Sequence, residues 1–329
     1  MKAKVTSKDV AKMLGVSQST VSRAFSSTAS ISEKKRQMVK DAAAKLGYSP
    51  NAIARSLISN RTGLIAIALD YESNPMYDLQ VRALSKEIQN RNGQVILSPI
   101  QENDLDSAIN RAIEYQVDGL IIATSRLTSH AFAQCEKFGI HLCLINRYVE
   151  GINANSVGVD NLLAGQNAAN FLLSKGYKNM VYISGEPGAM TSDLRWKGFS
   201  EQLAKQAVSP PVYINAKYNF QSGFDAAKQV LQLPHVDAIF CANDILAMGV
   251  MDGVRESGAS IPQDYGIIAV DDIPMSSWPS YNLTTIKQPV ELISKRAVDD
   301  LMDRINHDAD AEGKYILEQG ELIIRGSTR

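Results

Sequence analysis

The chain keeps two hydrophobic rhythms. Through about residue 48, apolar residues recur at helical spacing inside short polar segments. Thr6 opens the first segment, with Asp9 three positions on as in a capping box, and Val10, Ala11 and Leu14 share a face. Gly15 ends it, because glycine tolerates a left-handed C-cap. Ser17 caps a second helix that turns Val21, Ala24 and Phe25 inward. Ser32 starts a third, with Met38, Val39, Ala42 and Leu46 inward and Gly47 at its end. Three short helices with a glycine turn between the first two form a helix-turn-helix unit.

From Gly63 the rhythm changes to continuous apolar runs, as in strands buried on both faces. They fall at 63–71, 93–100, 117–125, 141–147, 157–160, 179–186, 237–244 and 265–272. Helix-like stretches lie between them, among them 77–91, 104–115, 161–175, 192–206, 222–232 and 245–257. Strands alternating with amphipathic helices imply parallel sheets, here two doubly wound subdomains facing one another. Ligands of such sheets bind beyond the C-terminal strand ends. Polar residues stand there: Asp70, Asn74, Thr124, Ser125, Asn146, Arg147, Asp160, Asn243, Asp244, Asp271 and Asp272.

Charge sharpens the division. A formal net charge of -1 hides twelve Lys and Arg against three Asp and Glu in residues 1–61, leaving twenty-two against thirty-two for the rest. A basic head on an acidic body points to a polyanion partner for the head. A helix-turn-helix presents its second helix to the major groove. There Gln18 suits adenine and Arg23 guanine, each through two hydrogen bonds, and Ser19 can reach a base edge. Ser17, Thr20 and Ser22 are short hydroxyls suited to phosphates, which fix register without reading sequence. The alternative, a small helical docking module, leaves the charge excess unexplained. The following stretch, YSPNAIARSLISNRTG, holds about two turns of helix, marginal in isolation and ordered only when supported. Its Leu57 either packs on a neighbouring domain or wedges between base steps in the minor groove.

Catalysis finds little support. Adjacent Asp271 and Asp272 point different ways at a strand end, and GEPGAM (185–190) only loosely echoes a dinucleotide loop. Cys135, Cys143 and Cys241 are widely spaced, odd in number and without a C-x-x-C pair; they read as small buried apolar residues in a reducing compartment. The four histidines are scattered, so neither a metal nor a cofactor is expected. No apolar run approaches the roughly 20 residues of a membrane span. With no secretory signal core either, the expected compartment is the cytoplasm, and the nucleoid when DNA is bound.

The chain resembles the LacI/GalR bacterial transcription regulators along essentially its whole length. DVAKMLGVSQSTVSRAF and GYSPNAIARSL are similar to that family's helix-turn-helix and hinge. SNPMY (73–77), VGVDN (157–161), SDLRWKGF (192–199), CANDILAMGVM (241–251), VDD (270–272) and LTTIKQP (283–289) resemble its core signatures, in order. The resemblance implies a small all-α head at 1–48, a hinge at 49–61, and an α/β core like periplasmic sugar-binding proteins at 62–329. Within that core the N-subdomain would take about 62–160 and 290–322, and the C-subdomain about 161–289 plus the C-terminal end. It implies DNA contacts by Thr6, Ser17, Gln18, Ser19, Thr20, Ser22, Arg23, Ser32, Asn51, Arg55 and, in the minor groove, Leu57. It implies effector contacts by Met76, Thr124, Asn146, Thr191, Arg195, Tyr218, Asn243, Asp271 and, through water, Gln288. Asn146 stands where the family often has Asp, and Ala269-Val270 where it commonly has Gly-aromatic. The implied partners are an approximately palindromic operator, a second copy of the chain, and a sugar or sugar derivative, with a purine or sugar phosphate as the alternative. The chain reaches Arg329 without leucine heptads, so a tetramer through a C-terminal coiled coil is not expected.

Overall fold

The computed structural model describes residues 5–25, 29–49, 61–69, 74–100, 104–123, 129–149, 152, 154–307 and 313–329. The hinge residues Asn51, Arg55 and Leu57, and Asp70, Thr124 and Ser125 at strand ends, lie outside these. The chain forms two compact units, Met1–Thr62 and Gly63–Arg329.

The first unit holds helices α1 (Ser7–Leu14), α2 (Gln18–Ala24) and α3 (Glu33–Leu46). The capping box of α1 is formed: the Thr6 N–H and hydroxyl both donate to Asp9 Oδ2, at 2.9 and 2.7 Å. Gly15 and Gly47 close α1 and α3 in the left-handed region, at φ 63° and 69°. Val10, Ala11, Val21, Ala24, Val39, Ala42 and Ala43 form the small core. Met38 is not part of it: its side chain is exposed. The stripe of α3 runs Val39, Ala42, Ala43, Leu46, and Met38 lies about 100° off that face. The Arg36 guanidinium ties the turn between α2 and α3, donating to the carbonyls of Ala24 at 3.0 Å and Ala29 at 3.2 Å.

The second unit contains two six-stranded sheets. The first half of the unit supplies β1 (Leu64–Leu69), α4 (Met76–Asn90), β2 (Gln94–Pro99), α5 (Leu105–Glu114), β3 (Gly119–Ala123), α6 (Ser129–Lys137), β4 (His141–Ile145) and β5 (Asn155–Val159). The second supplies α7 (Asn161–Ser174), β6 (Met180–Ile183), α8 (Met190–Lys205), β7 (Val212–Ile214), α9 (Phe220–Val230), β8 (Ala238–Cys241), α10 (Asp244–Glu256), β9 (Gly266–Asp271) and β10 (Thr284–Lys287). The chain then returns through α11 (Val290–His307), β11 (Tyr315–Glu318) and β12 (Glu321–Ile323). The first sheet runs β2-β1-β3-β4-β5-β11, all parallel. The second runs β7-β6-β8-β9-β10-β12, parallel except for β12. The chain thus crosses between sheets after β5, after β10 and between β11 and β12.

The central strands β3 and β9 are buried along their whole length, as their apolar runs require. Four strands and two helices go beyond the sequence reading. β10 carries two wholly buried threonines instead of an apolar run, β7 has three residues, and β11 and β12 are partly exposed edges. None has the hydrophobic continuity that marks a central strand. Two helix pairs approach unusually closely. A Cβ on Gly165 of α7 would lie 2.1 Å from the Arg195 carbonyl oxygen, and one on Gly198 of α8 would lie 2.0 Å from that of Leu162. Gly223 of α9 and Gly249 of α10 repeat the arrangement at 2.1 and 2.0 Å. These glycines let backbones touch, and in the α7–α8 pair the contact accompanies the bond from Arg195 to Asn161.

Candidate functional site

Two surfaces carry the residues singled out above. In the first unit Gln18, Ser19, Ser22 and Arg23 are exposed on α2, and Thr20 is half-buried. Ser17 is the N-cap, its Oγ accepting from the Thr20 backbone N–H at 3.2 Å. It also bonds the hydroxyls of Ser19 at 2.8 Å and Thr20 at 2.9 Å. Gln18 Nε2 donates to Ser7 Oγ at 2.8 Å, which lays its amide along the face shared with α1. Ser32 caps α3. Thr6 is exposed and engaged with Asp9, whose carboxyl its N–H holds below the usual carboxylate range. α2 therefore buries Val21 and Ala24 and turns a row of hydrogen-bonding side chains outward.

The second unit gathers polar side chains where the strands of both sheets end. Asp271, the last residue of β9, is 3% exposed and has φ 143°. Its Oδ1 accepts from Gln288 Nε2 at 2.6 Å and its Oδ2 from Asn74 Nδ2 at 3.0 Å. Gln288 Oε1 in turn accepts from Asn146 Nδ2 at 3.2 Å. Asn146, in the left-handed region at φ 56°, is fixed by the Val159 N–H donating to its Oδ1 at 3.0 Å. Asn74 and Asn146 follow strands of the first sheet, and Asp271 and Gln288 end strands of the second. The hydrogen-bonded chain therefore crosses from one half to the other.

Arg195 is buried on α8. Its Nε donates to Asn161 Oδ1 at 2.7 Å and its Nη1 to the Ala242 carbonyl. Its positive charge opposes the burial that raises the Asp271 carboxyl above the ordinary aspartate value. Asn243 is 1% exposed; its Oδ1 caps α10 through the Leu246 N–H at 3.1 Å. Among the described residues its Nδ2 is buried without a partner. A buried, unmet donor at a strand end is what a ligand acceptor would satisfy. Tyr218 lies against Gly185: a Cβ there would meet its Cζ at 2.0 Å. Its hydroxyl shares a 3.0 Å hydrogen bond with Thr191, and burial raises its pKa.

Other strand-end residues serve the scaffold. Asp244 turns away from the chain just traced and accepts from the Ile273 N–H at 3.0 Å and from the hydroxyls of Ser276 and Thr285, both at 2.5 Å. Burial and the neighbouring Asp271 push its carboxyl up to about 7. Asp160 caps α7 through the Leu163 N–H, and Asp272 pairs with Arg325 at 2.6 Å. Arg147 is half-buried, and desolvation lowers its pKa. Met76 packs with Met248, Ile273 and Val290 in an apolar cluster beside the polar chain. Asn161, which orients Arg195, and Ser192, bonded to the Tyr182 hydroxyl at 2.9 Å, were not individually foreseen. Asn161 closes the quoted VGVDN stretch and Ser192 opens SDLRWKGF, so both positions were marked without a role.

The exposed reading helix and the two-sheet cleft define a DNA-binding head with a periplasmic-binding-protein-like body. Residues 6–51 match the family described as bacterial regulatory proteins, lacI family, and residues 169–328 match the periplasmic binding protein-like domain. The HTH-type transcriptional repressor CytR of Escherichia coli (strain K12) is 29% identical over 339 aligned positions, covering 100% of this chain and 99% of that protein. The HTH-type transcriptional repressor PurR of Haemophilus influenzae (strain PittEE) is 29% identical, covering 98% of each. The structure of the Lac repressor dimer bound to operator and the anti-inducer ONPF superposes with a TM-score of 0.86, at 25% identity and 99% coverage of each chain. The chain thus joins a helix-turn-helix domain of the lacI family of bacterial regulatory proteins to a periplasmic-binding-protein-like domain.

Proposed function

We propose that the protein is a sequence-specific DNA-binding repressor of a carbohydrate operon, and that a sugar-like molecule bound between the two halves of the second unit controls it. One observation carries the effector reading. A buried polar chain joins the ends of two sheets, and beside it Asn243 offers an unpartnered donor. Hydroxyls that donate and accept match Asp271, Arg195, Asn146 and Gln288, and the face of Tyr218 suits the apolar face of a ring. Within the site the opposite charges of Arg195 and Asp271 act on one another. That balance favours a neutral sugar over a sugar phosphate. Met76, Thr124 and Thr191 complete the proposed effector set. The flat placement of Tyr218 against Gly185 supports a second reading, a purine or nucleoside stacked on the ring.

The head reads bases through Gln18, Ser19 and Arg23, while Thr6, Ser17, Thr20, Ser22, Ser32, Asn51 and Arg55 hold phosphates. Two copies of the chain place one head in each half of an approximate palindrome. Exposed Leu97 on the edge strand β2, and exposed Trp278, are apolar surface available to such a dimer. Leu57 of the hinge segment, outside the described residues, is the proposed wedge in the minor groove. Effector and operator affinities are then coupled reciprocally. The protein binds its effector without turning it over and works in the cytoplasm; no helix among the described residues is long and apolar enough to cross a membrane. The test is a thermal-shift screen of sugars, sugar phosphates, purines and nucleosides, repeated with DNA footprinting. Absence of any preferred duplex, with and without these compounds, refutes the reading.

A further inference from the structure

Groups assigned to the effector also join the two halves of the second unit to each other. Both oxygens of the Asp271 carboxylate are engaged by the protein's own amides, from Gln288 at 2.6 Å and Asn74 at 3.0 Å. Asn74 is also fixed at its other end, since the Met76 N–H donates to its Oδ1 at 3.0 Å and so ties it to the start of α4. The next turn of contact is apolar: Met76 packs against Met248 of α10, Ile273 beyond β9 and Val290 of α11. The start of α4, in the first half, is thus joined to the second half by a charge-assisted hydrogen bond and a methionine contact side by side. Gln288 and Asn146 form a second polar bridge.

We propose that Asn74 is a latch: its amide occupies the Asp271 oxygen that an effector hydroxyl would take, holding the two halves together without effector and competing with it. The proposal rests on the effector reading only for what competes; the latch itself rests on the bond between Asn74 and Asp271. The logic is a conformational tax. A ligand that must first break a protein–protein bond binds with an affinity reduced by the fraction of time that bond is open. The partnerless Nδ2 of Asn243 remains available to the incoming ligand, so arrival can be repaid by a bond the closed form lacks. This makes Asn74 a residue that sets effector affinity by competition.

Asn74→Asp separates the latch from helix capping. The carboxylate keeps an acceptor for the Met76 N–H but sets a second negative group against Asp271. Asn74→Asp/Asp271→Asn exchanges donor and acceptor and restores the bond. Hydrogen exchange on the full-length, ligand-free chain reads the result. Asn74→Asp should speed exchange about tenfold or more in segments 143–147 and 284–289, and the double variant should restore protection in 143–147, with which neither substituted side chain forms a hydrogen bond among the described residues. Change confined to the first turn of α4, or no rescue, overturns the latch. A thermal-shift panel of neutral monosaccharides, nucleosides and their phosphates then compares the wild-type chain with Asn74→Ala. Responders should act on Asn74→Ala at severalfold lower concentration; equal or higher concentrations overturn the competition. A panel in which neither chain responds overturns the effector reading and, with it, the competition, while the exchange result decides the latch alone.

Discussion

Gly198→Ala puts one of the two closest helix contacts in the second unit to the test. An exposed glycine in a helix becomes more stable by about 1 kcal/mol when replaced by alanine. Gly198 should do the reverse. Its added methyl would lie 2.0 Å from the Leu162 carbonyl oxygen. A carbon and an oxygen settle at about 3.3 Å, so α7 and α8 must part by roughly 1.3 Å. Asn161 is the first residue of α7, beside Leu162, and its 2.7 Å bond from Arg195 would stretch to about 4 Å, beyond hydrogen-bonding range. Overpacking of this kind costs about 1–3 kcal/mol. A lost hydrogen bond to a charged group costs about 1.5–3 kcal/mol more. After the helix-propensity gain, the net loss is roughly 1.5–5 kcal/mol, a large share of a typical stability of about 5–15 kcal/mol. Urea denaturation monitored by circular dichroism measures the loss, and the thermal-shift panel reports whether the effector response falls with it. A variant as stable as wild type, or more stable, refutes the packing argument; an unchanged effector response with lowered stability refutes the link to Arg195.

Three other outcomes are expected. Arg23→Ala should weaken operator binding by about 1–3 kcal/mol and relax one base preference; unchanged discrimination between cognate and scrambled duplexes in a fluorescence-anisotropy titration rules out base reading. Asp244 holds its proton up to about 7, against 3.8 for its ordinary value, because burial and Asp271 disfavour its charge. Between those values the folded chain binds more protons than the unfolded one, so this carboxyl's contribution to stability falls as pH rises. The wild-type minus Asp244→Asn difference in unfolding free energy should therefore decline from about pH 4 to about pH 7, and a flat difference contradicts the assignment. Burial pushes the Cys135 thiol up to about 12 and raises those of Cys143 and Cys241 as well. All three should resist a thiol-specific disulfide reagent until the chain unfolds; rapid labelling of the native protein would show that the body opens locally.

The sequence by itself determined the helix-turn-helix and the central strands, because local physics suffices for both. Thr6, Gly15, Ser17, Ser32 and Gly47 mark helix ends through hydrogen bonds and dihedrals that span a few residues. A strand buried on both faces must be apolar throughout, as β3 is, and that shows in one dimension. Met38 shows the limit even there, since one position of helical phase decides whether a side chain is core or surface. Only the tertiary structure decided what the strand-end polar residues do. Asp244 and Asp271 look alike in sequence, yet one is enclosed by Ile273, Ser276 and Thr285 while the other faces Asn74 and Gln288. Asn74 and Asp271 are 197 positions apart, and Asn146 and Gln288 are 142 apart. No local pattern encodes such pairs. They meet because two sheets, each folded for its own apolar reasons, bring their strand ends together, and glycines at 165 and 198 let two helices close enough to set Arg195 beside Asn161.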